Sequence, residues 1–129
     1  MNNYSSSITF LYYEDYEKAI TFFEKVLRLD LVMDQEWARV YKISNGSFLG
    51  MVQKKDGSLE VTNKGGALIS LNAIDLDECY THIKGFNLDY TSEVNIIESI
   101  PLRSFFFKDF EGYDFEIQEF LNIEDRKIF

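Results

Sequence analysis

The stretch Phe105–Phe120, FFFKDFEGYDFEIQEF, holds two runs rich in aromatic residues, separated by a turn at Asp109–Gly112. Runs of this composition are typical of strands, and the turn between them predicts that they pair as a hairpin. Glu116 is an acid in the middle of the second strand, which otherwise reads as core. A buried carboxylate is costly unless it is neutral, paired or solvated, so Glu116 marks a candidate site for chemistry or ligand recognition.

The first half of the chain predicts one helix and four strands. In chain order these are a strand at Ser7–Tyr13, a helix at Tyr16–Leu29 with Asp15 as its N-cap, and strands at Leu29–Met33, Trp37–Ile43 and Ser47–Gln53. Apolar residues at helical spacing indicate the helix, and Asn45-Gly46 is a strong hairpin signal between the last two strands. The order of elements is β-α-β-β-β.

The second half repeats this order. It predicts a strand at Gly66–Ala73, a helix from the N-cap Asp75 to about Lys84 with Gly85 as C-cap, a strand at Phe86–Tyr90, an irregular arm at Ser92–Pro101, and hairpin strands at Arg103–Lys108 and Tyr113–Phe120. A shift of 60 residues places Asp15 on Asp75, and a shift of 66 places Gly46 on Gly112 and Gly50 on Glu116. Such a repeat indicates two copies of one module.

The sequence therefore predicts one α+β domain over residues 1–129. Module one covers about 5–53, a polar linker covers 54–65, module two covers about 66–121, and a charged tail covers 122–129, in which Ile128 and Phe129 are candidates for docking. We expect the modules to form a curved, cup-like mixed sheet with the helices on its outer face.

Composition excludes several classes of protein. A formal net charge of −9 disfavours binding to nucleic acid, and no apolar run is long enough to cross a bilayer. The N-terminal residues do not have the order of a signal peptide. A single Cys excludes an internal disulfide, and a single His excludes a His-rich metal site. We expect a cytoplasmic protein that binds neither nucleic acid nor membrane.

Three stretches together resemble the vicinal oxygen chelate superfamily, which includes glyoxalase I, extradiol dioxygenases, and fosfomycin- and bleomycin-resistance proteins. They are LYYEDYEKAITFFEKVL, GALISLNAIDLDECYTHI and FFFKDFEGYDFEIQEF. The last is similar to the family's Phe-x-Asp-Pro-x-Gly-x-x-x-Glu hairpin, with Phe110 in place of Pro. The resemblance covers Ser7 to Phe120 and implies paired modules around a cup.

The resemblance also implies four metal-ligand positions, two in each module. They fall on Ile8, Gly50, Leu68 and Glu116, and only Glu116 has a side-chain donor. A catalytic transition metal needs about three protein ligands, so we expect no metal and no other cofactor. The remaining donors, Cys79 and His82, belong to the second predicted helix and read as structural residues.

Strand alternation predicts which side chains line the cup. The candidate ligand-binding residues are Ile8, Phe10, Tyr12, Trp37, Arg39, Phe48, Gly50, Leu68, Ser70, Asn72 and Glu116. Aromatic walls with a few polar groups are typical of a small-molecule site. Each residue also has a structural interpretation: Tyr12 and Trp37 as core aromatics, and Glu116 as an acid paired with Arg39 or Arg103 or hydrogen-bonded to Tyr12.

Four functions remain open at this point. The first is a metal-free binding protein, similar to bleomycin-resistance proteins, for an aromatic or cationic molecule. The second is a metal-free lyase- or isomerase-type enzyme with Glu116 as acid or base, assisted by Tyr12 or Asn72. The third is an enzyme whose metal is held by Asp114, Glu111 or a partner subunit. The fourth is an interaction module whose cup is filled by Ile8 and Leu68.

The resemblance further implies a homodimer. Candidate contact residues are Trp37 and the stretch Phe105–Phe107, which burial within one chain would explain equally well.

Overall fold

In the computed structural model, which describes residues 2–129, the chain divides into two compact units. The first unit ends at Asn63 and contains β1 (Ser7–Tyr13), α1 (Tyr16–Thr21), β2 (Asp30–Asp34), β3 (Ala38–Ser44) and β4 (Ser47–Gln53). The second begins at Lys64 and contains β5 (Leu68–Asn72), α2 (Leu76–Lys84), β6 (Asn95–Ile97), β7 (Leu102–Lys108), β8 (Asp114–Phe120) and α3 (Ile123–Arg126). The strands of each unit, with α1 or α2, are the predicted modules.

Each module has its own four-stranded mixed sheet. The strand orders are β1-β4-β3-β2 and β5-β8-β7-β6, so the same connectivity occurs twice. In each sheet the first and last strands of the module pair in parallel, and the other neighbours are antiparallel. The predicted α+β fold of two β-α-β-β-β modules is confirmed.

Both predicted helix caps are present. The backbone N–H of Lys18 donates to Asp15 Oδ1 at 3.1 Å, and that of Glu78 donates to Asp75 Oδ1 at 3.2 Å. Each aspartate therefore satisfies one of the amides that the first helical turn leaves without a partner. None of the helices within residues 2–129 is long and apolar enough to cross a membrane.

The core of each module lies between its helix and one face of its sheet. In module one the ring of Phe23 packs edge-on against Tyr13, with centroids 6.0 Å apart, and lies 5.3 Å from the ring of Tyr41. In module two Tyr80 of α2 packs against Phe105 at 4.9 Å. Phe105 and Phe107 are fully buried there, which is the burial within one chain that the sequence allowed as the alternative to a contact surface.

Two elements differ from the sequence prediction. The helix predicted to Leu29 is regular only to Thr21 and continues as a π-helical turn over Phe22–Val26, and Arg28 then adopts a positive φ of 57° that ends it. The strand predicted at Phe86–Tyr90 is absent from the described chain. That segment is a turn with Asn87 at φ 53°, and the strand forms later, within the predicted arm, as the edge strand β6.

The turn that joins β7 to β8 is organised by Asp109. Its buried Oδ1 accepts hydrogen bonds from the backbone N–H groups of Glu111, at 2.9 Å, and Tyr113, at 3.0 Å. Gly112 has a φ of 92°, a region that favours glycine. The aspartate and glycine of the hairpin motif thus have local structural roles, and they set the register that brings Glu116 opposite Phe106.

Candidate functional site

Each sheet has a helix face, which packs on the module's own helix, and an open face, which the helix leaves uncovered. On the open face of module one lie Ile8, Phe10 and Tyr12 of β1 beside Phe48, Gly50 and Val52 of β4. Ile8 and Phe10 are 44% and 43% exposed, whereas the alternate residues Leu11 and Tyr13 are buried in the core. The predicted facing of β1 and β4 is confirmed.

Phe10 and Gly50 are register partners, and the ring occupies the space of a missing side chain. A Cβ placed on Gly50 would lie 2.4 Å from Phe10 Cδ1 and 3.3 Å from the backbone oxygen of Arg39. Gly50 is therefore required for close packing, and no side chain fits at this position while Phe10 keeps its place.

An aromatic cavity of about 130 Å³ opens beside Phe10. Its lining residues are Phe10, Tyr12, Gln35, Trp37, Ala38, Val52 and Ser58. Trp37 is 43% exposed and precedes β3; it joins this group because the chain turns at Glu36, whose φ is 70°. The structure thus brings together three of the predicted aromatic residues.

The segment after β4 crosses the same surface and fixes Tyr12. The backbone N–H of Leu59 donates to Tyr12 Oη at 3.3 Å. A Cβ on Gly57 would lie 2.2 Å from Tyr12 Cε2, so the linker backbone lies directly on the ring. These linker residues were missed by sequence reasoning, since nothing in a polar Gly-containing stretch indicates what it covers.

Arg39 lies on the other side of the sheet, and its predicted placement is wrong. Its Nη1 donates to Glu24 Oε2 at 3.1 Å, and its Nη2 is 3.2 Å from Asp34 Oδ2. Tyr41 also points to the helix, where its hydroxyl donates to Glu24 Oε2 at 2.6 Å. Burial raises the pKa of Tyr41 because it disfavours the charged phenolate, and the Glu24 carboxylate raises it further because it accepts the hydrogen bond of the neutral hydroxyl and repels a second negative charge.

A β-bulge is the reason for this reversal. Ser44 pairs with Ser47 across the turn, and continuing that register would place Arg39 opposite Val52 on the open face. The register instead shifts by one residue between Lys42 and Ser44, so Ala38 is opposite Val52. Because alternate side chains point to opposite faces, a shift of one residue reverses every side chain beyond it.

The open face of module two is polar. Ser70 Oγ donates to Glu116 Oε1 at 2.8 Å, Gln118 Nε2 donates to Asn72 Oδ1 at 2.9 Å, and Lys108 Nζ is bonded to Asp114 Oδ1. Leu68 is the exposed apolar residue at the start of β5. The structure thus places Leu68, Ser70, Asn72 and Glu116 on one face, as predicted.

The register pairs on the open faces of the two modules correspond one to one. Under the shifts of 60 and 66 residues, the pairs Ile8/Phe48, Phe10/Gly50 and Tyr12/Val52 correspond to Leu68/Asp114, Ser70/Glu116 and Asn72/Gln118, and all six are register partners. The repeat found in the sequence therefore holds at the level of strand register. Module one has apolar and aromatic residues at these positions, including the glycine, whereas module two has hydrogen-bonding residues at all of them except Leu68.

Glu116 is 8% exposed, and its partner is not one of those expected from the sequence. Arg39 pairs with Glu24 and Asp34, and Arg103 pairs with Asp77 at 2.6 Å. Among the described residues of its own module, no cation pairs with Glu116, and the Ser70 hydroxyl is its hydrogen-bond donor. The carboxylate is thus held by a neutral group.

The residues at the family's metal positions do not fit a metal site. Ile8 and Leu68 have no donor atoms, and the Phe10 ring excludes a side chain at Gly50. Asp114 and Glu111, considered as substitute ligands, are paired with Lys108 and Lys64. Within residues 2–129 no three His, Cys, Asp or Glu side chains cluster closely enough to hold a metal ion.

Comparison with solved structures identifies the fold. The chain is similar to lactoylglutathione lyase from Agrobacterium tumefaciens (18% identity, TM-score 0.70, 87% of this chain and 90% of that chain). It is also similar to the fosfomycin resistance protein FosX from Mesorhizobium loti (19%, 0.68, 98% and 99%) and to a glyoxalase/bleomycin resistance protein/dioxygenase from Nocardioides (13%, 0.72, 95% and 87%). No protein-family model and no curated protein matches the sequence.

The chain therefore has the fold that these glyoxalase, fosfomycin-resistance and bleomycin-resistance proteins share. This is the fold of the vicinal oxygen chelate superfamily, and the resemblance seen in the sequence is confirmed at that level.

Proposed function

We propose that the protein binds a small cationic molecule with an aromatic ring, without a metal, and that the open face of module one holds the ring. The observation that carries this proposal is the cavity between Phe10, Tyr12 and Trp37. Its volume of about 130 Å³ suits a single ring; an apolar cavity of about 150 Å³ in another protein takes up benzene. Sequestration of a drug-like molecule is the function that such binding would serve.

The preference for a cation rests on the rings and on the acids beside them. Exposed aromatic faces attract cations. Glu36 is the neighbour of Trp37 in the chain, Asp56 is the neighbour of Gly57, and both side chains are exposed. The formal net charge of −9 adds attraction over longer distances.

Trp37 gives a direct assay because it is the single tryptophan of the chain. Titration with benzyltrimethylammonium should change its fluorescence to saturation. Phenylacetate, which has the opposite charge, should bind about two- to fivefold more weakly, since a cation–π contact at an exposed site contributes about 0.5–1 kcal/mol. Tetramethylammonium, which lacks the ring, should also bind more weakly, because it buries less apolar surface in the cavity. Affinity should also fall as salt shortens the Debye length from about 30 Å at 0.01 M to about 3 Å at 1 M.

Two phenylalanine variants separate this site from nonspecific binding. Phe10→Ala removes one wall of the cavity and should weaken binding, whereas Phe86→Ala removes a similarly exposed ring from module two and should not. Equal effects of the two substitutions, or an unchanged Trp37 signal with all three probes, would contradict the proposal.

A second candidate is acid–base catalysis by Glu116, favoured by its burial next to the Ser70 hydroxyl. Tyr12 and Asn72 are the assisting groups expected from the sequence, and they are hydrogen-bonded to Leu59 and Gln118. The Ser70 hydroxyl is hydrogen-bonded to Glu116 itself and would take that role. Glu116→Gln should abolish turnover of any substrate and keep the fold; retained turnover would exclude this candidate.

We further propose that the protein acts as a homodimer in the cytoplasm, apart from nucleic acid and membranes. The exposed apolar side chains of the edge strand β2, Leu31, Val32 and Met33, support a contact with another chain. Sedimentation of the purified protein at a monomer mass across a wide range of concentration would contradict the dimer.

A further inference from the structure

A larger cavity, of about 380 Å³, lies where β1 and β4 end, under the segment that follows β4. The strand ends contribute Tyr13 and Gln53, and the crossing segment contributes Lys55, Leu59, Glu60 and Val61. The cavity is within the range of about 300–1,000 Å³ that is usual for small-molecule sites. It is separate in its lining residues from the aromatic cavity described above.

Module two has a counterpart at the equivalent place. Its cavity, of about 280 Å³, is lined by residues that include Ala73, Ile74, Glu119 and Arg126. Under the shifts of 60 and 66 residues these correspond to Tyr13, Glu14, Gln53 and Glu60, which all line the cavity of module one. The position of the cavity is therefore a property of the module.

In module two the chain's own tail enters this place. The ring of Phe129 stacks on that of Phe120, with centroids 5.2 Å apart, and Arg126 Nε donates to the Phe120 carbonyl oxygen. The tail thus brings one charged group and one apolar group to the ends of the parallel strands. At this place in module two, the chain's own side chains therefore supply both a charged and an apolar contact.

Only some of the charged side chains that line the cavity of module one form ion pairs with each other. Lys54 Nζ and Glu14 Oε1 form an ion pair at 3.0 Å. Lys55 and Glu60 line the same cavity, yet within residues 2–129 they form no ion pair, either with each other or with another side chain. One positive and one negative group remain open to a ligand, next to the apolar side chains of Leu59 and Val61.

We propose that this cavity binds a small aliphatic zwitterion, such as a free amino acid with a branched side chain. Its carboxylate would meet Lys55, its ammonium group would meet Glu60, and its side chain would lie against Leu59 and Val61. An anion alone would face two carboxylates in the cavity, and a cation alone would face two lysines. A zwitterion satisfies both open charges and carries no net charge into an acidic protein.

The test uses L-leucine and two analogues that each lack one charge. In ¹H–¹⁵N NMR titrations of the whole protein, L-leucine should shift the amide signals of Gln53, Lys55, Leu59 and Val61. The analogues 4-methylpentanoate, without the ammonium group, and 3-methylbutylamine, without the carboxylate, should bind about two- to fivefold more weakly, since each loses one ion pair.

Single-residue variants test whether the proposed side chains bind the charged groups of L-leucine. Lys55→Met and Glu60→Gln should each weaken L-leucine binding about two- to fivefold. Lys42→Met, which removes an exposed lysine outside the cavity, should leave it unchanged. The proposal is overturned if L-leucine causes no shifts at these amides, if either analogue binds as tightly, or if Lys55→Met and Lys42→Met behave alike. The response of Trp37 to benzyltrimethylammonium should persist in Lys55→Met, so failure at one site is distinguishable from failure at the other.

Discussion

Gly57→Ala tests whether the linker is packed as tightly on Tyr12 as the structure indicates. The added methyl group would lie 2.2 Å from Tyr12 Cε2, 2.8 Å from Cζ and 2.9 Å from Val52 Cγ1. The Gly57 backbone, at φ −82° and ψ 165°, is open to alanine. The conflict is therefore with the neighbouring side chains, and either Tyr12 or the linker must move.

The size of the effect follows from three contributions. Overpacking costs about 1–3 kcal/mol. Loss of the hydrogen bond from Leu59 to Tyr12 costs about 0.5–1.5 kcal/mol. Reduced flexibility of the unfolded chain offsets about 0.4–1 kcal/mol. We expect the free energy of unfolding to fall by about 2 kcal/mol, with weaker binding of benzyltrimethylammonium because Tyr12 lines the aromatic cavity.

Urea unfolding gives the measurement. With an m value of about 2 kcal/mol/M, the midpoint should fall by about 1 M. In a Tyr12→Ala background the main obstacle is gone, so the same substitution should cost less than half as much. An equal cost in both backgrounds, or a stabilised single variant, would refute the claim that the linker packs on the Tyr12 ring.

Three further predictions concern the framework. Asp109→Ala should lower the free energy of unfolding by about 3 kcal/mol, because two buried bonds to one charged oxygen are lost, whereas Asp109→Asn keeps an oxygen there and should cost less than half as much. Equal costs in urea unfolding would contradict this. The pKa of Tyr41 is raised, so its contribution to stability is complete below its unfolded pKa of about 10 and is lost as the pH rises above it; in urea unfolding, Tyr41→Phe should therefore reduce the loss of stability that begins at about pH 10. Asp15→Ala and Asp75→Ala should each cost about 1 kcal/mol, and substitution by Asn should restore most of it.

The fold was predictable because local signals agreed with the repeat. The caps Asp15 and Asp75 each precede a helix, and Gly46 and Gly112 each lie in the turn before the last strand of a module with a positive φ. Each of these residues acts on backbone groups within four or five positions of itself in the chain, so its effect can be predicted directly from the sequence.

The candidate site was only partly predictable, because it depends on register and on long-range packing. No turn residue or proline in the sequence indicates the bulge between Lys42 and Ser44, and this bulge places Arg39 on the helix face. Similarly, Glu116 was matched to arginines by charge, whereas its donor is Ser70, its register partner on β5. The covering of Tyr12 by Gly57 is a contact between residues 45 positions apart, for which one sequence carries no signal.

The corresponding register pairs of the two open faces have a consequence for how the modules can change over evolutionary time. On the open face of module two, two of the three register pairs are joined by a hydrogen bond, Ser70 with Glu116 and Asn72 with Gln118. A substitution at one position of such a pair leaves the other side chain without its hydrogen-bond partner. Tolerated changes at these positions therefore require both residues to change together. On module one, the half-exposed Ile8 has an apolar register partner in Phe48, so a single substitution at Ile8 leaves no partner without a hydrogen bond. New ligand preferences should therefore arise first on the open face of module one, while the open face of module two changes more slowly.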